Sequence, residues 1–164
     1  MTLVMPQRTR DRFGWHGHAV LRKFWADDDL TRATPYDVME AENLLLTVGA
    51  TLALNLIFGS TGTKLDGTNG RMCVGDSATA AAAGQTDLQA ATNKFRKAFD
   101  APPTISGNQV QCVTTFATGE ANFTWAEAGL ANSASGATMF DRFVQAFGAK
   151  SGQQWILTIT GTLT

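Results

Sequence analysis

Charged side chains are scarce in this chain, and so are histidine and tyrosine. Asp, Glu, Lys and Arg make up 16% of its 164 residues, whereas ordinary globular proteins have roughly 25%. The net charge is −1, so no overall field attracts nucleic acid or an acidic membrane. A surface poor in charge and rich in threonine is typical of strands packed against other subunits. It is equally typical of a β-rich domain with a plain polar surface, and both readings stay open.

Cysteines and long apolar runs are also few. Cys73 and Cys112 cannot form a disulfide framework, and both lie in apolar stretches, so we expect buried free thiols; a single bridge between strands is the alternative. Residues 1–12 contain no apolar segment of the signal-peptide kind, and no run approaches the ~18 residues of a membrane span. These absences predict a soluble protein from a reducing cytosol, with no membrane partner.

Apolar residues alternate with polar ones along most of the chain, and this period of two predicts strands. The strand segments are 13–25, 71–74, 110–117, 122–127, 137–147 and 155–163. Residues 30–42 are a candidate for the return strand of a hairpin, and Pro35 indicates that this strand is broken or lies at an edge of the sheet. Short strands at this spacing are typical of an antiparallel sandwich. We therefore predict a mainly β (α+β) fold, an antiparallel β-sandwich with two helices, in a single domain over residues 1–164.

Two segments predict the helices. The first is capped by Thr47 and continues to Ile57, ahead of Gly59. It is apolar on nearly every side, so we expect it to be buried. The second covers 86–99, where Thr86 and Gln89 have capping-box spacing and an apolar stripe follows.

Few residue patterns could carry chemistry. Gly75-Asp76-Ser77 resembles the block that opens GDS-type serine hydrolases, but these need a histidine late in the chain, and His16 and His18 lie upstream. The two histidines would share a strand face and could bind a metal together, yet no further ligands accompany them. Asp66 and its neighbours lack the spacing of a calcium loop. The sequence therefore predicts no catalytic residue, no metal site and no cofactor.

A series of short motifs follows in order between residues 43 and 164, about three quarters of the chain. They are Val74–Ser77, an alanine-rich loop, Gln85–Leu88, Asn93–Arg96, the strand pair 113–116 and 121–125, Glu127–Leu130, Ser135–Arg142 and Trp155–Thr160. As an ordered set they resemble a class of small tailed-bacteriophage virion proteins and, more distantly, the N-terminal modules of phage tail-collar fibre proteins. The resemblance implies a non-enzymatic virion component present in many copies, with no catalytic residues to transfer.

A basic arm at residues 1–12 carries Arg8, Arg10 and Arg12. Such an arm can contact a neighbouring subunit, remain in solvent or bind nucleic acid. In an assembly protein we favour contact with a subunit and place nucleic acid last. These three arginines are therefore our first candidates for a docking site.

Together these features predict a structural subunit of a bacteriophage virion, an accessory protein of the head, the head–tail junction or the tail. It would form homo-oligomers, dock to other virion proteins and be assembled in the cytoplasm of the host bacterium. One alternative is a host-surface-binding fibre or adhesin module that uses loops such as Gly59–Gly70. A further alternative is a small serine hydrolase that uses Ser77.

Overall fold

The computed structural model describes residues 14–59, 61–136 and 138–164. These residues form nine strands and one helix. In chain order the elements are β1 (Trp15–Phe24), β2 (Asp37–Leu45), α1 (Thr47–Phe58), β3 (Arg71–Gly75), β4 (Lys94–Ala98), β5 (Thr104–Ser106), β6 (Gln109–Phe116), β7 (Thr124–Ala131), β8 (Met139–Ala149) and β9 (Gln154–Leu163). The expectation of a mainly β fold is confirmed.

The strands join in one sheet, in the order β4-β3-β7-β8-β2-β1-β9-β6-β5, and every pairing is antiparallel. The sheet curls into a half-barrel whose ends approach each other. Just after β4, the N–H of Asp100 donates to the carbonyl of Val113 in β6 at 2.9 Å. The Asp100 carboxylate accepts the N–H of Thr115 at 2.9 Å. The concave face is thereby enclosed.

The predicted β-sandwich is not confirmed, because one continuous sheet takes the place of two packed sheets. Alternation along a strand shows which side chains point inward, but it does not show which strands are neighbours. A sandwich and a curled sheet both enclose an apolar interior, so the same pattern is compatible with each.

The main apolar core lies on the concave face. Trp125 of β7 makes edge-to-face contacts with Phe116 of β6, at 4.7 Å between ring centroids, and with Trp155 of β9, at 4.8 Å. Trp155, Leu157 and Ile159 of β9 are all buried, so these side chains of the last strand face the core. The aromatic rings fill the space between distant strands of the sheet and leave no room there for a helix.

The predicted hairpin at the start of the chain is confirmed by the antiparallel pairing of β1 with β2. Pro35 precedes β2 and does not interrupt it. The expected edge position is wrong, because β2 lies between β1 and β8. The remaining strand segments correspond to β3, β6, β7, β8 and β9 with shifts of a few residues at their ends.

The first predicted helix is confirmed as α1, but Thr47 does not cap it. The N-cap residue is Leu46, and no side chain caps the helix. Backbone carbonyls of other segments take this role: Leu46 donates its N–H to Phe140 at 3.1 Å, and Thr47 donates its N–H to Ala83 at 2.8 Å. A side chain at Gly49 would overlap the carbonyl of Phe140, so this glycine lets the helix lie directly on β8.

The second predicted helix, Thr86–Phe99, is wrong. Residues 85–93 form an irregular loop, and Lys94–Ala98 form strand β4 at the edge of the sheet. The carboxylate of Glu127 accepts the N–H groups of Gln89 and Ala90, at 2.9 and 2.7 Å. Tertiary hydrogen bonds to a buried carboxylate therefore replace those a helix would make, and they override the local capping signal.

Glu127 and Arg142 form a wholly buried ion pair on the convex face, with 2.7 Å between Oε2 and Nε. Arg142 also donates to the side-chain oxygen of Gln85 at 3.0 Å and to the carbonyl of Thr79 at 2.9 Å. The pair thus fastens the long β3–β4 loop over the sheet. A small second core lies beneath this loop; its buried members are Leu46, Cys73, Leu88, Ala131 and Met139.

We predict that Glu127→Gln lowers the free energy of unfolding by about 3 kcal/mol or more, because it leaves Arg142 buried without its counter-charge. Chemical denaturation measures this loss. The matched control is Glu120→Gln, since Glu120 pairs with Lys97 in a partly exposed position and should cost about 1 kcal/mol or less. Equal losses for the two variants would contradict the role assigned to the buried pair.

Candidate functional site

Those candidates from the sequence that fall within the described residues do not form a common site. Arg8, Arg10 and Arg12 lie outside the described residues. Ser77 lies in the β3–β4 loop, where its hydroxyl donates to the Thr79 hydroxyl at 3.0 Å and accepts the Thr79 N–H at 3.2 Å. In the described chain, Ser77 makes hydrogen bonds to Thr79 alone. This is the local turn bonding of a serine, and neither of these hydrogen bonds joins the Ser77 hydroxyl to a base.

The two histidines lie on one face of β1, as predicted. His18 contacts Glu40 on β2 at 3.3 Å between Nε2 and Oε2. Asp66 is engaged by its own turn, where one carboxylate oxygen accepts the N–H groups of Thr68 and Asn69 at 3.0 and 2.8 Å. Among residues 14–59, 61–136 and 138–164, no three His, Cys, Asp or Glu side chains are grouped closely enough to hold a metal.

Both cysteines are buried free thiols, as the sequence predicted, and no bridge joins them. Burial raises the pKa of Cys73 to about 12, and the same cause raises the pKa of Cys112 to about 12. Thiols at these positions remain protonated near neutral pH and are poor nucleophiles. Their role is apolar packing.

Asp141 of β8 is a buried carboxylate near one end of the half-barrel. It accepts hydrogen bonds from the Asn43 amide at 2.9 Å, the Leu130 N–H at 3.1 Å and the Trp15 indole at 3.4 Å. Burial raises its pKa to about 6, although these three donors favour the charged form. The group therefore links β8 to β1, β2 and β7.

The most distinctive surface feature is α1, whose apolar side chains are largely uncovered. Phe58 is 82% exposed, Ile57 63% and Leu54 56%, and only Gly49 and Leu52 of the helix are buried. No charged residue occurs in α1. The expectation of a buried helix is wrong because the aromatic core already fills the concave face, so α1 packs on the outside against β8.

An apolar groove of about 750 Å³ runs between α1 and the neighbouring end of the sheet. Its lining residues are Trp15, Leu45, Ala50, Ala53, Leu54, Ile57, Phe58, Phe140 and Leu163. None of them carries a charge. Together with the exposed helix, this apolar groove can accept the side chains of another protein surface, but it offers no group for acid, base or nucleophilic catalysis.

A second hollow of about 500 Å³ lies along another side of α1. Its polar lining includes Thr51, Asn55, Thr63, Asn132 and Thr138. Asn132 is fixed there by hydrogen bonds to the carbonyl of Thr63, at 3.1 Å, and from the N–H of Thr138, at 2.8 Å. The hydroxyl and amide groups suit a neutral polar ligand.

No protein-family model matches this chain, and no curated protein or solved structure is significantly similar to it. In the part of the chain that the structure describes, no helix has the length and apolar character needed to cross a membrane. The candidate site therefore depends on geometry alone.

Sequence reasoning found the helix that forms the apolar groove but placed it inside the protein. A helix that is apolar on all sides normally indicates burial. The signal that could have corrected this was the number of inward-facing aromatic residues on the strands, which fill the core without help from α1. The contribution of Trp15, Phe140 and Leu163 depends on strand order and had no local signal.

We predict that Asp141 makes the protein less stable as the pH rises. Its ordinary pKa is 3.8 and its folded value is about 6, so the folded state holds the extra proton between these values. The stabilisation is complete below pH 3.8 and is lost as the pH passes 6, by about 3 kcal/mol for a shift of roughly two units. Denaturation of the native chain and of Asp141→Asn at pH 4 and pH 7 measures this, because the variant lacks the dependence.

The matched control is Asp66→Asn. The pKa of Asp66 is lowered, chiefly by the hydrogen bond from the backbone N–H of Asn69. The stabilisation that Asp66 contributes to the fold is therefore lost as the pH falls, which is opposite to the dependence expected of Asp141. A stability difference between native chain and Asp141→Asn that stays constant with pH would contradict the assignment.

Proposed function

We propose that this chain is a structural subunit of a tailed-bacteriophage virion, that it acts by self-association and by docking to other virion proteins, and that it is not an enzyme. The observation that carries the proposal is the apolar groove with the exposed face of α1. A monomer in water leaves this surface uncovered at a hydrophobic cost. A subunit that assembles removes it from water.

Two further observations support this proposal. The ordered motifs in residues 43–164 are similar to those of small phage virion proteins. In addition, four residues of reactive types in the described chain have structural roles: Ser77 in a turn, Cys73 and Cys112 in packing, and Glu127 in the buried ion pair. The proposed location is the virion, on the head, the head–tail junction or the tail, after assembly in the host cytoplasm.

We predict that the chain is present in several copies per particle in virions made from the genome that encodes it. Quantitative mass spectrometry of gradient-purified, nuclease-treated particles measures the copy number, with a host cytosolic protein as the control for contamination. Enrichment over that control supports the proposal. A chain found only in the soluble fraction of infected cells would overturn it.

We also predict that the triple substitution of Arg8, Arg10 and Arg12 by Ala lowers incorporation several-fold, because the proposed docking arm loses its charges. The matched control is Arg22→Ala, an exposed arginine on β1 that should leave incorporation unchanged. Unchanged copy number in the triple variant would remove the arm from the proposal.

A host-surface-binding module is the second candidate function, and one surface feature favours it. Trp25 and Tyr36 stack on each other at 4.3 Å between ring centroids and are both exposed at the β1–β2 turn. Exposed aromatic rings commonly form part of recognition surfaces. Adsorption of purified protein to host cells would favour this function, whereas a purely structural subunit should not adsorb.

A further inference from the structure

We infer that two copies of this chain pair through helix α1, in an antiparallel arrangement about a twofold axis close to Ala53 and Leu54. This inference rests on the proposed function, because it identifies the surface and geometry of the self-association. It goes beyond that function because virion docking does not require any particular pairing of this helix.

The distribution of large and small side chains along α1 favours a second copy as the occupant of the apolar groove. Ala50, Ala53, Leu54 and Ile57 all line the groove, and their spacing of three, four and seven residues places them in one stripe. The side chains of this stripe are small near the start of the helix and large near its end. In an antiparallel pair, Leu54 and Ile57 of one copy lie opposite Ala50 and Ala53 of the other. A parallel pair would place the large residues against each other.

The absence of charge also favours a second copy. Neither α1 nor the lining of the apolar groove contains Asp, Glu, Lys or Arg. An acidic or basic partner therefore gains nothing from this surface, whereas two identical copies meet without repulsion. Antiparallel neighbouring helices also align their dipoles favourably.

The available area is sufficient for a specific pair. At the exposures seen for Leu54, Ile57, Phe58 and Leu163, these four side chains present on the order of 400–500 Å² of apolar surface. With the groove walls, two facing copies remove about 1,000 Å² or more from water, which reaches the lower limit for a biological interface. The 12-residue helix is about 18 Å long, so one copy of α1 can cover the other along its length.

Disulfide cross-linking tests the geometry. Leu54→Cys lies near the proposed axis and should form intermolecular disulfide dimers readily on mild oxidation. Ile105→Cys is the matched control, since Ile105 is 77% exposed on β5, away from α1, and measures random collision. A mixture of Ala50→Cys with Ile57→Cys should give the mixed dimer in excess over either homodimer. Homodimers of Ala50→Cys in excess would indicate a parallel pair and overturn the inference.

Sedimentation tests the association itself. The native chain should have the mass of a dimer or of an even-numbered assembly, and Ile57→Asp should raise the dissociation constant at least tenfold. Ile105→Asp is the control and should leave the mass unchanged. Because Ile57 and Ile105 are both exposed, each variant should retain the circular dichroism of the native fold. A native chain that is monomeric at all concentrations would overturn the inference. A Leu54→Cys thiol that is shielded from reagents in such a monomer would do so as well.

The two proposals fail in different ways. If the chain is present in virions and Leu54→Cys cross-links no better than Ile105→Cys, the pairing through α1 is wrong and the proposed function remains. If Leu54→Cys cross-links efficiently while no virion contains the chain, the pairing remains and the proposed function is wrong.

Discussion

The contacts of Trp125 with Phe116 and Trp155 are the interaction on which the rest of this structure depends. They cross the concave face and join β7 to β6 and β9, which lie far apart in the sheet order. A flat sheet would expose these rings, so their mutual burial favours the curl. Once the rings have filled the interior, α1 has no apolar space left to enter. The exposure of the helix is thus a consequence of the aromatic core.

The placement of charged residues also makes the exterior of the protein more apolar. The sequence has few charged residues, and several of them are withdrawn from the surface: Lys23, Glu127, Asp141, Arg142 and Lys150 are all buried. They fasten loops and strand ends from within. The exterior is consequently even poorer in charge than the composition indicates, and an uncharged exterior with an apolar helix offers few barriers to close contact between subunits.

Local periodicity was sufficient to predict most of the strands and α1, because alternation and apolar runs act within a single element. It failed where distant residues decide the outcome. The segment 86–99 has a sound capping pattern, yet Glu127, almost 40 residues further along, takes two of its amides. The apolar groove could not be predicted for the same reason, since Trp15, Phe140 and Leu163 meet only through strand order.

The seating of α1 connects its stability to association. An isolated helix of 12 residues is marginal in water, and this one has no side-chain cap. It is held by the close approach of Gly49 to Phe140 and by two backbone hydrogen bonds at its start, while its second half, Leu54 to Phe58, extends largely exposed into solvent. Any partner that covers this half binds the folded helix and not the frayed one, so binding stabilises the helix by mass action. In the proposed pair, each copy supplies the apolar surface that the other's helix lacks.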